Sequence, residues 1–212
     1  MIRVLIVDDH PVVRRGLRQI IDQEEDMATA GEAGDGNSVA ALAASCKPDV
    51  VVLDLSLPGM SGIEVLARLK VDHPGLPVLI LSAQPADEMA VRALRAGASG
   101  YLNKEMAPEE LVTAVRRVAS GRKYVTEALG ELLADSLRTA SQPLPHTTLS
   151  DREYQVLLMI GSGKTVSEIA YEIGLSVKTA STYRTRILEK MSLRNNAELM
   201  HYVIRHALTP DL

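Results

Sequence analysis

The sequence predicts an α/β chain: a doubly wound, five-stranded parallel sheet followed by a small all-α unit of four helices. Three observations predict it. Apolar runs rich in Val, Ile and Leu alternate with amphipathic helical stretches five times across the first 120 or so residues. Runs such as Val50-Val-Val-Leu53 show no alternation of apolar and polar residues, the pattern of a strand covered on both faces. From Leu149 onward strand-like runs give way to repeated helix-start signatures.

Ile2–Val7 is an apolar strand, followed by a helix over 11–23 with Val12, Val13, Leu17, Ile20 and Ile21 assigned to one face. Met27–Ala33 is a weaker strand and 38–46 an Ala-rich helix. The third strand, 50–53, delivers Asp54 to its carboxyl end. A Pro58–Gly59 turn follows, and Ser61-Gly-Ile-Glu64 is a capping box that opens a helix over 62–72. Residues 77–81 form the fourth strand, 87–96 a helix and 100–102 a short fifth strand. The closing helix, 108–120, carries Pro108 at its first position. Right-handed crossovers put helices on both faces of such a sheet. Residues 121–147 form a partly helical linker, since "EALGELLADSLR" has helical character and "TASQPLPHTT" is polar and contains proline. The second domain spans 148–212. Ser150-Asp-Arg-Glu153 and Thr165-Val-Ser-Glu168 are capping boxes for helices over 151–161 and 166–173. Gly174 ends the second, Ser176 caps a third over 177–191, and a fourth spans 196–207. The close middle pair is a helix-turn-helix.

The composition, 46% hydrophobic and 24% charged, is that of a globular protein, and no apolar run approaches the roughly 20 residues of a membrane span. The start, "MIRVLIVDDH", has the wrong flanks for a signal peptide. One cysteine, Cys46, excludes an internal disulfide framework and a cysteine-rich metal site, and fits a small apolar filler. A cytoplasmic location with no membrane partner follows as the expectation. Residues 1–147 hold 15 basic against 20 acidic groups. Within 178–194, five basic residues face Glu189 alone. That excess fits a basic face on the second domain.

Polar groups end most of the strands. Asp8 and Asp9 follow the first, Asp54 the third and Ser82 the fourth, while the fifth leads to Lys104. In a sheet ordered 2-1-3-4-5 the first and third strands are neighbours at the switch point, where ligands bind. Asp8, Asp9 and Asp54 then converge. Two like charges about 4 Å apart repel by roughly 4 kcal/mol at an effective dielectric near 20. A hard divalent cation resolves that conflict, and carboxylates with a carbonyl and waters suit Mg²⁺. A carboxylate beside Mg²⁺ can attack phosphorus, with Lys104 offsetting charge and Ser82 bonding a phosphoryl oxygen. Singly, each residue has a plainer role: Asp8 or Asp9 as a helix cap, Tyr101 as core, Lys104 as a solvated charge, and His10 as the start of the first helix. Their conjunction at the strand ends favours a site.

"VLIVDDH", "VVVLDLSLPGMSG", "LILSA" and "GASGYLNK" together resemble the receiver domain of two-component response regulators, over about residues 1–120. The resemblance implies the flavodoxin-like sheet order 2-1-3-4-5. It also implies that Asp54 is the phosphoacceptor and Mg²⁺ the cofactor. Asp9, Asp54 and the Ser56 carbonyl are implied as direct ligands, with Asp8 acting through water. Ser82 and Tyr101 are implied as the switch pair, and Lys104 as the phosphate-pairing lysine. Ser56 and Gln84 fall where the family tunes phosphoryl lifetime. Glu105 departs from the proline common after that lysine.

In the third helix of the second domain, Ala180, Tyr183, Ile187 and Met191 fall at helical spacing and are assigned to the core. Lys178, Ser181, Thr182, Thr185 and Arg186 then face outward, a surface suited to the DNA major groove. Thr179, Arg184 and Lys190 flank it within reach of the backbone. The stretch from "LSDREYQVLLMIGSGKT" to "ILEKM" resembles the LuxR-type four-helix DNA-binding domain. The whole chain is similar to response regulators of the NarL/FixJ type, and "AELMHYVIRHAL" resembles the GacA/UvrY-like branch. The resemblance implies a sensor histidine kinase and double-stranded DNA with two-fold related sites as partners. It further implies homodimers on phosphorylation, for which Leu199, Tyr202, Val203 and Ile204 offer apolar surface. "GSGKT" at 161–165 mimics a P-loop but lacks its first glycine, Leu158 standing there, and follows no strand. Two further readings compete. An aspartyl-phosphate phosphatase needs a second Asp two residues after the nucleophile, where Ser56 stands. A regulator working by protein contact or DNA binding alone would leave the acidic cluster without a task.

Overall fold

A computed structural model of the chain describes residues 1–83, 88–106, 108–138, 144–206 and 208. They fall into two compact units, Met1–Glu131 and Leu132–Leu212. The first is built on strands β1 (Ile2–Val7), β2 (Met27–Ala33), β3 (Val50–Asp54), β4 (Val78–Ser82) and β5 (Gly100–Asn103). They pair in parallel in the order β2-β1-β3-β4-β5, the order expected. Helices α1 (Pro11–Asp22), α2 (Val39–Cys46), α3 (Gly62–Asp72), α4 (Glu88–Arg95) and α5 (Pro108–Ala119) connect and close them.

The central strands are buried from end to end, as their unbroken apolar runs require. On one face Val4, Ile6, Val50, Val52, Leu79 and Leu81 pack in a single core with Leu17 and Ile21 of α1 and Leu111, Val115 and Val118 of α5. The alternate residues, Leu5, Val51, Leu53 and Ile80, are equally buried and point to the opposite face, as strand geometry dictates. Cys46 is half-buried, and its sulfur would lie 3.6 Å from a Cβ added at Gly31, so it fills space beside β2.

Val12 departs from its assigned face. It is 84% exposed, while Leu17 and Ile21 carry the contact. Five residues before Leu17, it stands on the far side of the helix wheel. The start expected for α4 at Asp87 lies outside the described residues. After α5 the chain turns at Gly121 and returns to the sheet. The Tyr124 N–H donates to Ser99 O at 2.9 Å and Tyr124 bridges Gly100 in parallel. Its hydroxyl donates to Glu110 Oε1 at 3.0 Å, and Lys123 Nζ donates to Ala98 O at 2.6 Å. A Cβ at Gly100 would lie 2.7 Å from Tyr124 O, so only glycine admits this approach. Helix α6 (Glu127–Arg138) follows, and its Leu129 is buried.

The second unit contains a 3₁₀ turn, Pro145–Thr148, and helices α7 (Asp151–Gly161), α8 (Val166–Glu172), α9 (Val177–Lys190) and α10 (Asn196–Arg205). Both expected capping boxes form, Ser150 with Glu153 and Thr165 with Glu168. Ser176 caps α9 by accepting from Thr179 N–H at 3.1 Å. The "GSGKT" segment is a turn, with Gly163 at φ 85° and Thr165 capping α8. Between α8 and α9 Gly174 takes φ 65°, the left-handed conformation that stops a helix. A Cβ at Gly161 would meet Val203 Cγ1 at 2.5 Å, so the Val203 side chain of α10 packs directly on the α7 backbone.

Candidate functional site: an acidic pocket and a helix-turn-helix face

Register builds the pocket. Val7 of β1 pairs with Leu53 of β3, so the residues that follow, Asp8 and Asp54, emerge side by side. Both are buried. Lys104 N–H donates to Ser82 O at 2.7 Å, which extends the β4–β5 pairing and brings the lysine inward. Its Nζ stands 2.6 Å from Asp8 Oδ2 and 2.8 Å from Asp54 Oδ2. The other Asp54 oxygen, Oδ1, accepts from Ser56 N–H at 3.1 Å. Asp9 is partly exposed beside them. Ser82 and Tyr101 are buried on neighbouring strands. The peptide before Lys104 is trans, and Glu105 N–H donates to Asn103 Oδ1 at 2.8 Å. Gln84 lies outside the described residues.

Burial pushes the Asp54 carboxyl above its ordinary range, against the pull of the Lys104 ammonium and with a further push from Asp8. Burial works against the Lys104 charge as well, but the Asp54 and Asp8 carboxylates outweigh it and hold that ammonium more firmly protonated than usual.

Three residues contribute that sequence reasoning passed over or read only as helix starts. Gly62 begins α3 hard against the Asp54 loop, where an added Cβ would lie 2.4 Å from Asp54 O and 2.5 Å from Leu55 Cα. A glycine at the first position of a helix, where it is a poor helix former, was the available signal. Arg14 Nη1 donates to Asp8 O at 2.6 Å and fixes the turn after β1. His10 caps α1 by position but not by side chain. Its N–H donates to Asp8 Oδ1 at 2.8 Å, and its Nδ1 lies 2.8 Å from Asp9 Oδ1.

The pocket fits a hard cation. Potential ligand atoms of Asp8, Asp9, His10 and Asp54 lie within 4.8 Å of one another. Asp8 Oδ2, Asp9 Oδ1 and Asp54 Oδ2 are shut off from water and receive no well-aligned hydrogen bond. Lys104 faces two of them and the His10 ring the third, leaving three carboxylates against one ammonium. An oxygen donor set with excess negative charge suits Mg²⁺.

In the second unit, α9 turns Ala180, Ile187 and Met191 inward, with Tyr183 half-buried. Lys178, Thr179, Ser181, Thr182, Thr185 and Arg186 are exposed. Two of the flanking cations are engaged within the unit. Arg184 is half-buried with Nε 2.5 Å from Asn196 Oδ1. Lys190 Nζ donates to Glu153 Oε2 at 2.6 Å, so its charge is paired with a buried carboxylate. The expected dimer surface also needs correction. Leu199 and Val203 are fully buried, because α10 uses its apolar stripe against α7. Tyr202 is half-buried, with its hydroxyl 2.7 Å from His146 Nδ1. Of the four, Ile204 alone, 58% exposed, offers apolar surface.

Comparison with known proteins accounts for both units. Residues 4–116 match the response regulator receiver domain, and residues 147–203 match the bacterial regulatory proteins of the luxR family. The chain is 35% identical to the response regulator UvrY of Escherichia coli over 209 residues, 98% of this chain and 96% of that protein. It is 36% identical to the response regulator GacA of Pseudomonas aeruginosa, with 98% of each covered. A solved structure of RcsB from Salmonella enterica serovar Typhimurium, bound to promoter rprA in the presence of phosphomimetic BeF3-, superposes with a TM-score of 0.65 at 26% identity, covering 96% of this chain and 98% of that one. A receiver unit, a helix-turn-helix unit and near full-length likeness to UvrY and GacA make one assignment: the chain belongs to the two-component response regulators that join a receiver domain to a LuxR-type DNA-binding domain.

Proposed function

We propose that Asp54 accepts a phosphoryl group from a sensor histidine kinase and that its phosphorylation controls how this regulator binds DNA. One observation carries the reading. A buried carboxylate at a strand end has one oxygen held by the Ser56 N–H and the other facing Lys104, beside two further carboxylates. An Asp54 oxygen forms the bond to phosphorus as the bond to the kinase histidine nitrogen breaks, and that nitrogen leaves with the bonding pair. The Ser56 N–H fixes the attacking group, and Lys104 moves its charge onto the phosphoryl oxygens. Asp9, Asp54 and the Ser56 carbonyl, with Asp8 through water, would hold Mg²⁺, which supplies positive charge to the transferring group. The new dianion draws the Ser82 hydroxyl towards it as a donor, and Tyr101 repacks behind it.

The chemistry is confined to the chain's own Asp54. The altered receiver surface favours homodimers, and two DNA-binding units on a two-fold related site gain affinity through effective concentration. Lys178, Ser181, Thr182, Thr185 and Arg186 of α9 meet the DNA, with Thr179 at the rim. DNA as the partner sets the cytoplasm as the working compartment. Mass spectrometry of the full chain after incubation with a small phosphodonor and Mg²⁺ tests the first step. One phosphoryl group on the Asp54 peptide, absent in Asp54→Ala, is expected; equal labelling of the variant would assign the acceptor elsewhere.

A further inference from the structure

The outward face of α9 is poorer in hydrogen-bond donors than its residue types promise. Thr182 Oγ1 donates to Lys178 O at 2.9 Å, and Thr185 Oγ1 donates to Ser181 O at 3.1 Å. Each bond runs from a threonine to the carbonyl four residues back, a recognised local habit of the residue. A hydroxyl has one proton, and in both residues it is committed to the helix backbone. Neither can donate to a purine N7 or O6 without breaking that bond. What each has left for a ligand is a γ-methyl and an acceptor lone pair. Val177, at the first position of α9 and 52% exposed, has methyls alone. At 100° per residue, Val177, Ser181, Thr185, Lys178 and Thr182 share an arc of roughly 140°. Ala180, Ile187 and Met191 lie outside that arc and are buried. Lys178 is the sole cation on the arc.

In the major groove thymine presents a C5 methyl that no other base carries, and apolar side-chain groups, the threonine methyl among them, read it. The N-terminal residues of a recognition helix are those that meet base edges. We propose that Val177, Thr182 and Thr185 read thymine methyl groups, so that the bound sequence is selected for thymines in the major groove more than for guanines. The inference rests on the reading of α9 as the helix that enters that groove.

The probe is a DNA duplex enriched by the full chain from a randomised library. Replacing its thymines one at a time by uracil deletes a methyl and leaves base pairing intact. Burial of one methyl corresponds to about fourfold in affinity, so two or three positions are expected to weaken binding by about that factor. Thr182→Val and Thr185→Val, which keep the methyl and lose the hydroxyl, are expected to retain affinity. Thr182→Ser and Thr185→Ser are expected to weaken it about fourfold and to erase the uracil effect at one position each. Melting curves of the variants check that each folds. Loss in the valine variants with retention in the serine variants would overturn the inference, because the hydroxyl would then be the reader. Insensitivity to uracil with affinity still lost in Arg186→Ala would overturn the methyl reading alone. Insensitivity to every α9 variant would remove α9 from the groove altogether.

Discussion

Asp54 sits in its pocket against the preference of a charge for water. Burial holds its pKa above the unfolded value, so the folded state binds that proton more tightly than the unfolded state does. The ionised group therefore opposes folding at neutral pH, and the opposition fades as pH falls through the raised pKa, vanishing below the unfolded one. Asp54→Asn is expected to melt at a higher temperature than wild type at pH 7 and to lose that advantage on acidification, in thermal melts across the range. Gly62 works at the same scale through sterics. Gly62→Ala forces a methyl to 2.4 Å from the Asp54 carbonyl oxygen, and the loop must shift. A loss of about 1–3 kcal/mol in urea unfolding is expected, with slower phosphorylation of Asp54. The sequence announced Asp8, Asp9, Asp54, Ser82 and Lys104, because each ends or follows a strand and strand ends can be counted. It did not announce Gly62 as part of the site, because its one trace, a poor helix former at a helix start, does not say which backbone segment it approaches.

Helix starts were legible because they are local. Ser61–Glu64, Ser150–Glu153 and Thr165–Glu168 all close within four residues, and all three boxes form. Pairings across the chain were not. Lys190 reaches Glu153 across 37 positions, and nothing in either stretch pointed to the other. Burial opposes the Glu153 charge, but Lys190 and the Ser150 N–H outweigh it and hold the carboxyl below its ordinary value. Its contribution is present above the unfolded pKa, near 4.5, and is lost as pH falls through the folded one. Lys190→Ala is expected to cost about 1–2 kcal/mol at neutral pH, discounted because the lysine is half in water. The variant should also show a shallower loss of stability on acidification, measured by urea unfolding at pH 7 and pH 4. The apolar stripe of α10 was legible as well, but not its partner. Periodicity says that Leu199 and Val203 seek burial, and it is silent on whether α7 or a second copy provides it.

At the scale of the molecule, the overall charge of -4 opposes DNA, so attraction rests on the cations of α9, and affinity falls with salt in proportion to the phosphates they neutralise. Arg186→Ala is expected to weaken binding and to flatten the plot of log affinity against log salt by about one. Lys190→Ala should leave that slope unchanged, because its charge is already neutralised by Glu153. Titrations of duplex at several salt concentrations separate the two. The return of the chain along β5 at Tyr124 has a practical corollary for dissecting the protein. That outermost strand has β4 on one side, and at the start of its other side Tyr124 bridges Gly100 while Lys123 and Tyr124 donate to the Ala98 and Ser99 carbonyls. A fragment cut at residue 120 would bare that end of the edge strand, where another molecule can pair, a usual seed of aggregation. Light scattering is expected to rise with concentration for fragment 1–120 and to stay flatter for fragment 1–131, so the shortest well-behaved receiver keeps the eleven residues that look, on paper, like dispensable linker.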